Sequence, residues 1–200
     1  VSAHYVVLED GGIIQMVKED RRAWHAGAAR WQDESDLNSS SIGIEIVNYG
    51  HDGHLPTYPQ AQINSVIALC RDIITRNKIA AHRVLAHSDV APARKRDPGE
   101  HFPWGTLHAA GVGHYVPPAP ISGGRFLARG EQGQPVEALQ AMLALYGYGI
   151  AVTGAYDLAT EQVVAAFQRH FRQERVDGVA DASTITTLRD LIASLPLTRG

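Results

Sequence analysis

His87-Ser-Asp-Val-Ala-Pro-Ala-Arg-Lys-Arg-Asp-Pro-Gly, residues 87–99, places an imidazole (His87), an ammonium (Lys95) and a carboxylate (Asp97) within eleven residues. The apolar run Val84-Leu85-Ala86 leads into it, and Pro92, Pro98 and Gly99 disfavour a helix behind it. The pattern therefore predicts His87 at the end of a strand, with Asp97 on the loop that returns past it. One nitrogen and one oxygen ligand on a stiff loop suit a hydrolytic zinc site, which uses three protein ligands and a water. Lys95 is then placed to hydrogen-bond an oxyanion beside the metal. A solvated, proline-rich turn has the same residue types, and the stretch by itself leaves both readings open.

Outward from this stretch, composition narrows the class. Two hundred residues with 44% hydrophobic and 20% charged side chains describe a soluble globular chain of one medium and one small domain. A net charge of −3 without a basic block gives no electrostatic case for nucleic acid. The single cysteine, Cys70, has no disulfide partner and falls in an apolar helical pattern, as a small core residue would. No apolar run is long enough to span a bilayer.

Before residue 87, His4 to Leu8 and Ile13 to Val17 flank Asp10-Gly11-Gly12 and predict a β-hairpin over 4–17. Residues 32–40 read as a polar loop. Ile42-Gly-Ile-Glu-Ile-Val-Asn48 reads as a central strand carrying Glu45 in its middle. Alternation allows Ile42, Ile44 and Ile46 to face the core with Glu45 pointing out, so periodicity alone does not give the glutamate a task. His51 and His54 lie in a Gly-rich turn and read as solvated loop histidines. Pro59 opens an amphipathic helix in which Ile63, Val66, Ile67, Cys70, Ile73 and Ile74 recur to Asn77. Ile79 to Leu85 carries the chain to His87, and a short helical piece follows Trp104.

Residues 115–129, Pro-rich and then Gly-rich, predict a linker. Beyond it lie three helical stripes, at Val136–Tyr146, Val163–Phe171 and Ile185–Ile192. Val152-Thr-Gly-Ala-Tyr-Asp157 and Val176-Asp-Gly-Val-Ala-Asp181 echo each other 24 residues apart, and each predicts a turn followed by an Asp helix cap.

The motif His87-Ser-Asp-x-x-Pro-x-Arg-Lys-x-Asp-Pro-Gly, followed by Phe102-Pro-Trp104, resembles the zinc N-acetylmuramoyl-L-alanine amidases of the AmpD and AmiD type. Ser2-x-His4-Tyr5, Trp24-His25-Ala26-Gly27 and Asn38-x-x-Ser41-Ile-Gly-Ile-Glu45 match that family as well. The resemblance implies His87 and Asp97 as zinc ligands, Glu45 as a partly buried general acid/base, and Lys95 as the group that assists catalysis. Trp24, His25, Asn38 and Arg94 become candidates for substrate binding; for His25, a packed loop position is an equal alternative. Residues 130–195 resemble the three-helix peptidoglycan-binding domain appended to cell-wall hydrolases.

The expected fold is therefore α/β: a mixed central sheet flanked by helices, plus a small C-terminal three-helix domain. The expected division is 1–114 catalytic, 115–129 linker and 130–195 peptidoglycan-binding. The family's first zinc ligand is a histidine on a strand before Ser2-x-His4-Tyr5, and His4 does not take its place. The third ligand is then on an upstream segment, on a separate piece, or lost together with the metal; the missing segment, or the membrane through it, becomes an expected partner. The implied activity is zinc-dependent hydrolysis of the amide between N-acetylmuramic acid and L-alanine, on peptidoglycan or muropeptides. A wall-binding domain implies a periplasmic or cell-envelope location, with which an outer-membrane anchor is compatible. Two rivals stand beside this reading: a non-catalytic peptidoglycan-recognition module, and a zinc peptidase that cuts within the stem peptide.

Overall fold

The structure is a computed structural model that describes residues 2–196. Val1 and residues 197–200 lie outside them. Strands β1 (Tyr5–Val7), β2 (Ile13–Gln15) and β3 (Ile44–Ile46) form a mixed sheet in the order β2-β1-β3. The predicted hairpin is the antiparallel β1–β2 pair, and β3 runs parallel to β1 with Glu45 opposite Val6. Among the described residues β3 has β1 as its sole ladder partner, so the strand expected to be central presents a free edge.

Helix α1 (Leu37–Ser40) forms where a polar loop was expected, with Leu37 and Asn38 buried. Helix α2 (Gln60–Asn77) begins after Pro59, as predicted; it buries Ile63, Val66 and Ile73, the first two in one core with Val7 of β1. Gln62 on the same face is fully buried and donates its amide to the carbonyls of Val7 and Val47, tying β1 and β3 to the helix. Cys70 packs on this core, and burial pushes its thiol up to about 11, so it stays a neutral apolar group.

The approach to residue 87 departs from expectation. Ala81–Arg83 is a 3-10 turn, Val84 to Ala86 is extended without a ladder partner, and His87 opens the short helix α3 (His87–Val90) instead of ending a strand. The helical turn forms despite Pro92 because Asp89 Oδ2 accepts the Ala86 N–H at 2.8 Å, half of a capping box. Helix α4 (Trp104–Ala109) follows. His51, expected to be solvated, is pinned by Glu100 at 2.9 Å.

Helices α5 (Gln134–Tyr146), α6 (Leu158–Phe171) and α7 (Ala182–Ala193) correspond to the three stripes. Asp157 and Asp181 cap α6 and α7 by accepting the N–H groups of Thr160 and Thr184, as the sequence echo predicted. A second device is duplicated inside. Buried Gln140 accepts the N–H groups of Thr153 and Gly154, and buried Gln168 accepts those of Asp177 and Gly178. Gln168 also donates to Val179 O at 2.9 Å and to Thr184 Oγ1 at 3.2 Å. Gln168→Ala strands these buried groups and is expected to cost about 3 kcal/mol, lowering Tm by roughly 6–12 °C in thermal unfolding followed by circular dichroism.

The helical unit is not a tethered bead. One hydrophobic cluster contains Ala26, Trp31, Leu37, Val90 and Ala91 from the first half together with Leu139, Tyr146, Tyr148, Phe167 and Phe171 from the second. Trp31 meets Tyr148 edge-on with ring centroids 5.0 Å apart. It lies so close to Gly147 that a Cβ there would be 2.5 Å from the indole. The linker is docked as well, since Ser183 Oγ–H donates to Ala119 O and the Ala119 N–H donates to Thr187 Oγ1.

Candidate active site

Along the free edge of β3 runs an open groove of about 1040 Å³. Its lining includes the apolar Ile44, Ile46, Val66 and Cys70 together with His25, Glu45, His87, Lys95 and Asp97. The predicted catalytic and metal-binding residues thus line the same groove, contributed by β3, by α3 and by the loop behind it.

His87 and Asp97 meet directly: His87 Nδ1 lies 3.0 Å from Asp97 Oδ2. The other imidazole nitrogen, Nε2, lies 3.1 Å from the carbonyl of Ala26. A carbonyl can only accept, so Nε2 carries the proton; a doubly protonated ring then donates its Nδ1–H to the carboxylate, and a neutral ring turns the lone pair of Nδ1 toward it. In the neutral form the two acceptors face each other and a cation between or beside them satisfies both; without one, a proton on Nδ1 does so. Two zinc ligands with bonds of about 2.0–2.1 Å at a tetrahedral angle lie about 3.3 Å apart, close to the observed separation. A metal-ligating histidine that donates its second N–H to a backbone carbonyl is also the usual supporting arrangement. The donor set fits zinc with two ligands, and no group of three ligating side chains occurs among the described residues. Partial burial works against ionisation of Asp97, but the hydrogen bond and charge of His87, and the charge of Lys95, outweigh it and hold the carboxyl below its usual range.

Glu45 lies on the face of β3 opposite Ile44 and Ile46. It is exposed, not partly buried as the resemblance implied, because the groove beside β3 is open to solvent. The Lys95 side chain is half-buried, held by its backbone N–H on Ala91 O at 3.0 Å. Neither side chain has a hydrogen-bond partner among the described residues, so both are available to a ligand in the groove.

The loop 24–28 forms the wall facing α3. Asn38 is buried and its Oδ1 accepts the N–H groups of His25 and Ala26, each at 2.9 Å. Arg94 donates to Ala26 O at 3.0 Å and to Ala28 O at 2.7 Å. These two side chains, expected to touch substrate, clamp the loop in this structure, and the Ala26 carbonyl joins that clamp to His87. Trp24 sits outside the groove, 60% exposed, with the Arg22 guanidinium 4.3 Å over its ring.

His25 lines the groove and has a buried Nε2 without a hydrogen-bond partner among the described residues. Burial, followed by the neighbouring His4 and His87, holds it below the ordinary imidazole range, so it is neutral at pH 7. Its ring lies directly on Gly43, where a Cβ would come within 2.3 Å of Cγ. Gly43→Ala is therefore expected to displace the imidazole and destabilise the fold by about 1–3 kcal/mol, readable as a lower midpoint in urea unfolding. His4 is structural: its Nε2 donates to Arg21 O and its Nδ1 accepts the Gly43 N–H.

Two groove residues escaped the sequence reading. Tyr58 donates its hydroxyl to Pro98 O, next to Asp97, and Tyr49 stands 77% exposed at the groove. An aromatic residue in a loop ahead of a helix carries no signal that would single out either.

Residues 1–100 match the family model described as N-acetylmuramoyl-L-alanine amidase, and residues 132–188 match a putative peptidoglycan binding domain. The amidase AmiD of Escherichia coli is 37% identical over 198 residues, covering 92% of this chain and 71% of the relative. The 1,6-anhydro-N-acetylmuramyl-L-alanine amidase AmpD of Citrobacter freundii is 40% identical over 109 residues, 54% of this chain and 56% of the relative. Among solved structures, E. coli AmiD bound to anhydro-N-acetylmuramic acid-L-Ala-D-gamma-Glu-L-Lys superposes with a TM-score of 0.79 at 34% identity, covering 96% of this chain and 79% of that one. AmpDh3 of Pseudomonas aeruginosa also gives 0.79, at 30% identity over 98% of this chain and 84% of that one.

Proposed function

The chain belongs to the N-acetylmuramoyl-L-alanine amidase family, and we propose that its groove hydrolyses the amide joining N-acetylmuramic acid to the L-alanine of the stem peptide. The observation that carries the reading is the convergence of His87 Nδ1 and Asp97 Oδ2 at 3.0 Å, in one groove with Glu45 and Lys95. His87 and Asp97 would hold zinc, with a third ligand supplied from outside the described residues.

A zinc ion bound there supplies Lewis acidity toward the scissile carbonyl and toward water. Glu45 takes a proton from the attacking water and delivers it to the amine nitrogen as the C–N bond breaks, leaving a lactyl carboxylate and a free L-alanine amine. The Lys95 ammonium stabilises the negative charge that gathers on the carbonyl oxygen. His25, Asn38 and Arg94 shape the wall against which substrate lies, the last two by holding loop 24–28, and Trp24 offers an exposed aromatic face beside it.

The helical unit 130–195, with 115–129 as its connection to the catalytic residues 1–114, would hold the enzyme on peptidoglycan and raise the local concentration of scissile bonds. That task favours a cell-envelope location. No helix among the described residues is long and apolar enough to cross a membrane. Zinc analysis of the native protein tests the metal reading: near one zinc per chain is expected, and a metal-free protein that still hydrolyses muropeptides would overturn it.

A further inference from the structure

We infer that Tyr148 and His170, on the C-terminal helical unit, are positioning residues for the amidase site: through Asp89 they fix the helical turn that presents His87. The inference rests on the zinc-ligand reading of His87 proposed above.

Asp89 sits two residues after His87 on α3 and is fully buried. Its Oδ2 accepts the N–H of Ala86, the amide just ahead of His87, at 2.8 Å. With that partner alone it would be a buried carboxylate short of hydrogen bonds, a strongly disfavoured state. The other donors come from the helical unit. Tyr148 Oη–H donates to Oδ1 at 2.7 Å, and His170 Nδ1–H donates to Oδ2 at 2.7 Å.

Both donors are locked by packing. His170 is 2% exposed and stacks on Trp104 with ring centroids 3.7 Å apart, while Tyr148 is pressed by Trp31 at 5.0 Å. Helix α3 itself is a single turn of four residues. So short a turn has no stability of its own, and its orientation is set by what holds it. The support extends to the second ligand, since the Ser88 N–H donates to Asp97 O at 3.0 Å. Around this node Arg169 donates to Glu100 and Gln173 donates to Phe102 O, so the end of α6 grips the same stretch, 87–104, at further points. The helical unit therefore has a second role beside wall binding, as part of the scaffold that aims the ligands.

The test uses the full chain carrying Tyr148→Phe, which removes one oxygen and keeps the ring, or His170→Gln, or both. Zinc affinity is measured by competition with a chelator, kcat and KM on a soluble muropeptide, and retention on insoluble peptidoglycan by sedimentation. Each single variant is expected to weaken zinc binding by about 10–100-fold, the usual effect of removing support behind a metal ligand. It should lower kcat with little change in KM and leave retention on peptidoglycan intact. The double variant should fall short of the product of the two, because both act through Asp89. Variants that lose only melting temperature, with wild-type zinc affinity and kcat, would overturn the inference and leave the amidase reading standing. A wild-type protein without zinc affinity would instead overturn the proposed function, and this inference with it.

Discussion

Glu45→Gln is expected to lower kcat for amide hydrolysis by about 10²–10⁴-fold while zinc content stays at the wild-type level, because a positioned general acid/base contributes on that scale. The substitution is nearly isosteric, and the fold has little reason to respond. The Glu45 side chain is exposed and makes no hydrogen bond among the described residues, and the backbone pairing of β3 with β1 does not depend on it. The loss would therefore appear in turnover and not in melting temperature. Steady-state assay of a muropeptide by liquid chromatography, beside zinc analysis of the same preparation, checks both halves. Retention of activity within tenfold would remove Glu45 from the chemistry.

His87→Ala is expected to abolish zinc binding and activity together. It deletes the nitrogen that faces Asp97 and, in the same stroke, the N–H that holds the Ala26 carbonyl. Arg94 still donates to that carbonyl, so loop 24–28 keeps one of its clamps and the protein should remain folded. Even a residue behind a metal ligand changes affinity by 10–100-fold, so loss of the ligand itself should exceed about 10²-fold in equilibrium dialysis against zinc. Asp97→Asn gives a graded comparison, since it keeps an oxygen but removes the charge. Wild-type zinc affinity in His87→Ala would mean that the metal, if bound, sits elsewhere.

What the sequence made legible is what local chemistry determines. The hairpin followed from Asp10-Gly11-Gly12 between β-prone runs, α2 from its apolar spacing after Pro59, and the caps Asp157 and Asp181 from an internal echo. The candidate site was legible through motif spacing, and the structure brings Glu45, His87, Lys95 and Asp97 to one groove. What was not legible depends on partners far away in the chain. His87 begins a helical turn and does not end a strand, because Asp89 caps that turn while Tyr148 and His170, 59 and 81 residues beyond Asp89, hold the cap. Asn38 and Arg94 are candidate substrate ligands in sequence, and the structure adds a second task, hydrogen bonds to the backbone of residues 25–28. No periodicity reports such a bond.

The shared core has the same origin. Stripes on α5 and α6 predict that Tyr146 and Phe167 are buried, but not that Trp31, more than a hundred residues earlier, completes their packing. A peptidoglycan-binding unit read from sequence is a module on a linker. The structure packs it against the half of the chain that holds the residues proposed to carry the chemistry.

The most direct test of the account is mass analysis of the fragments released from peptidoglycan by the native protein. Amidase action predicts stem peptides with a free L-alanine amine together with N-acetylmuramic acid whose lactyl group ends in a carboxylate. Fragments cut within the stem peptide, or no release from peptidoglycan that the protein nonetheless binds, would contradict it.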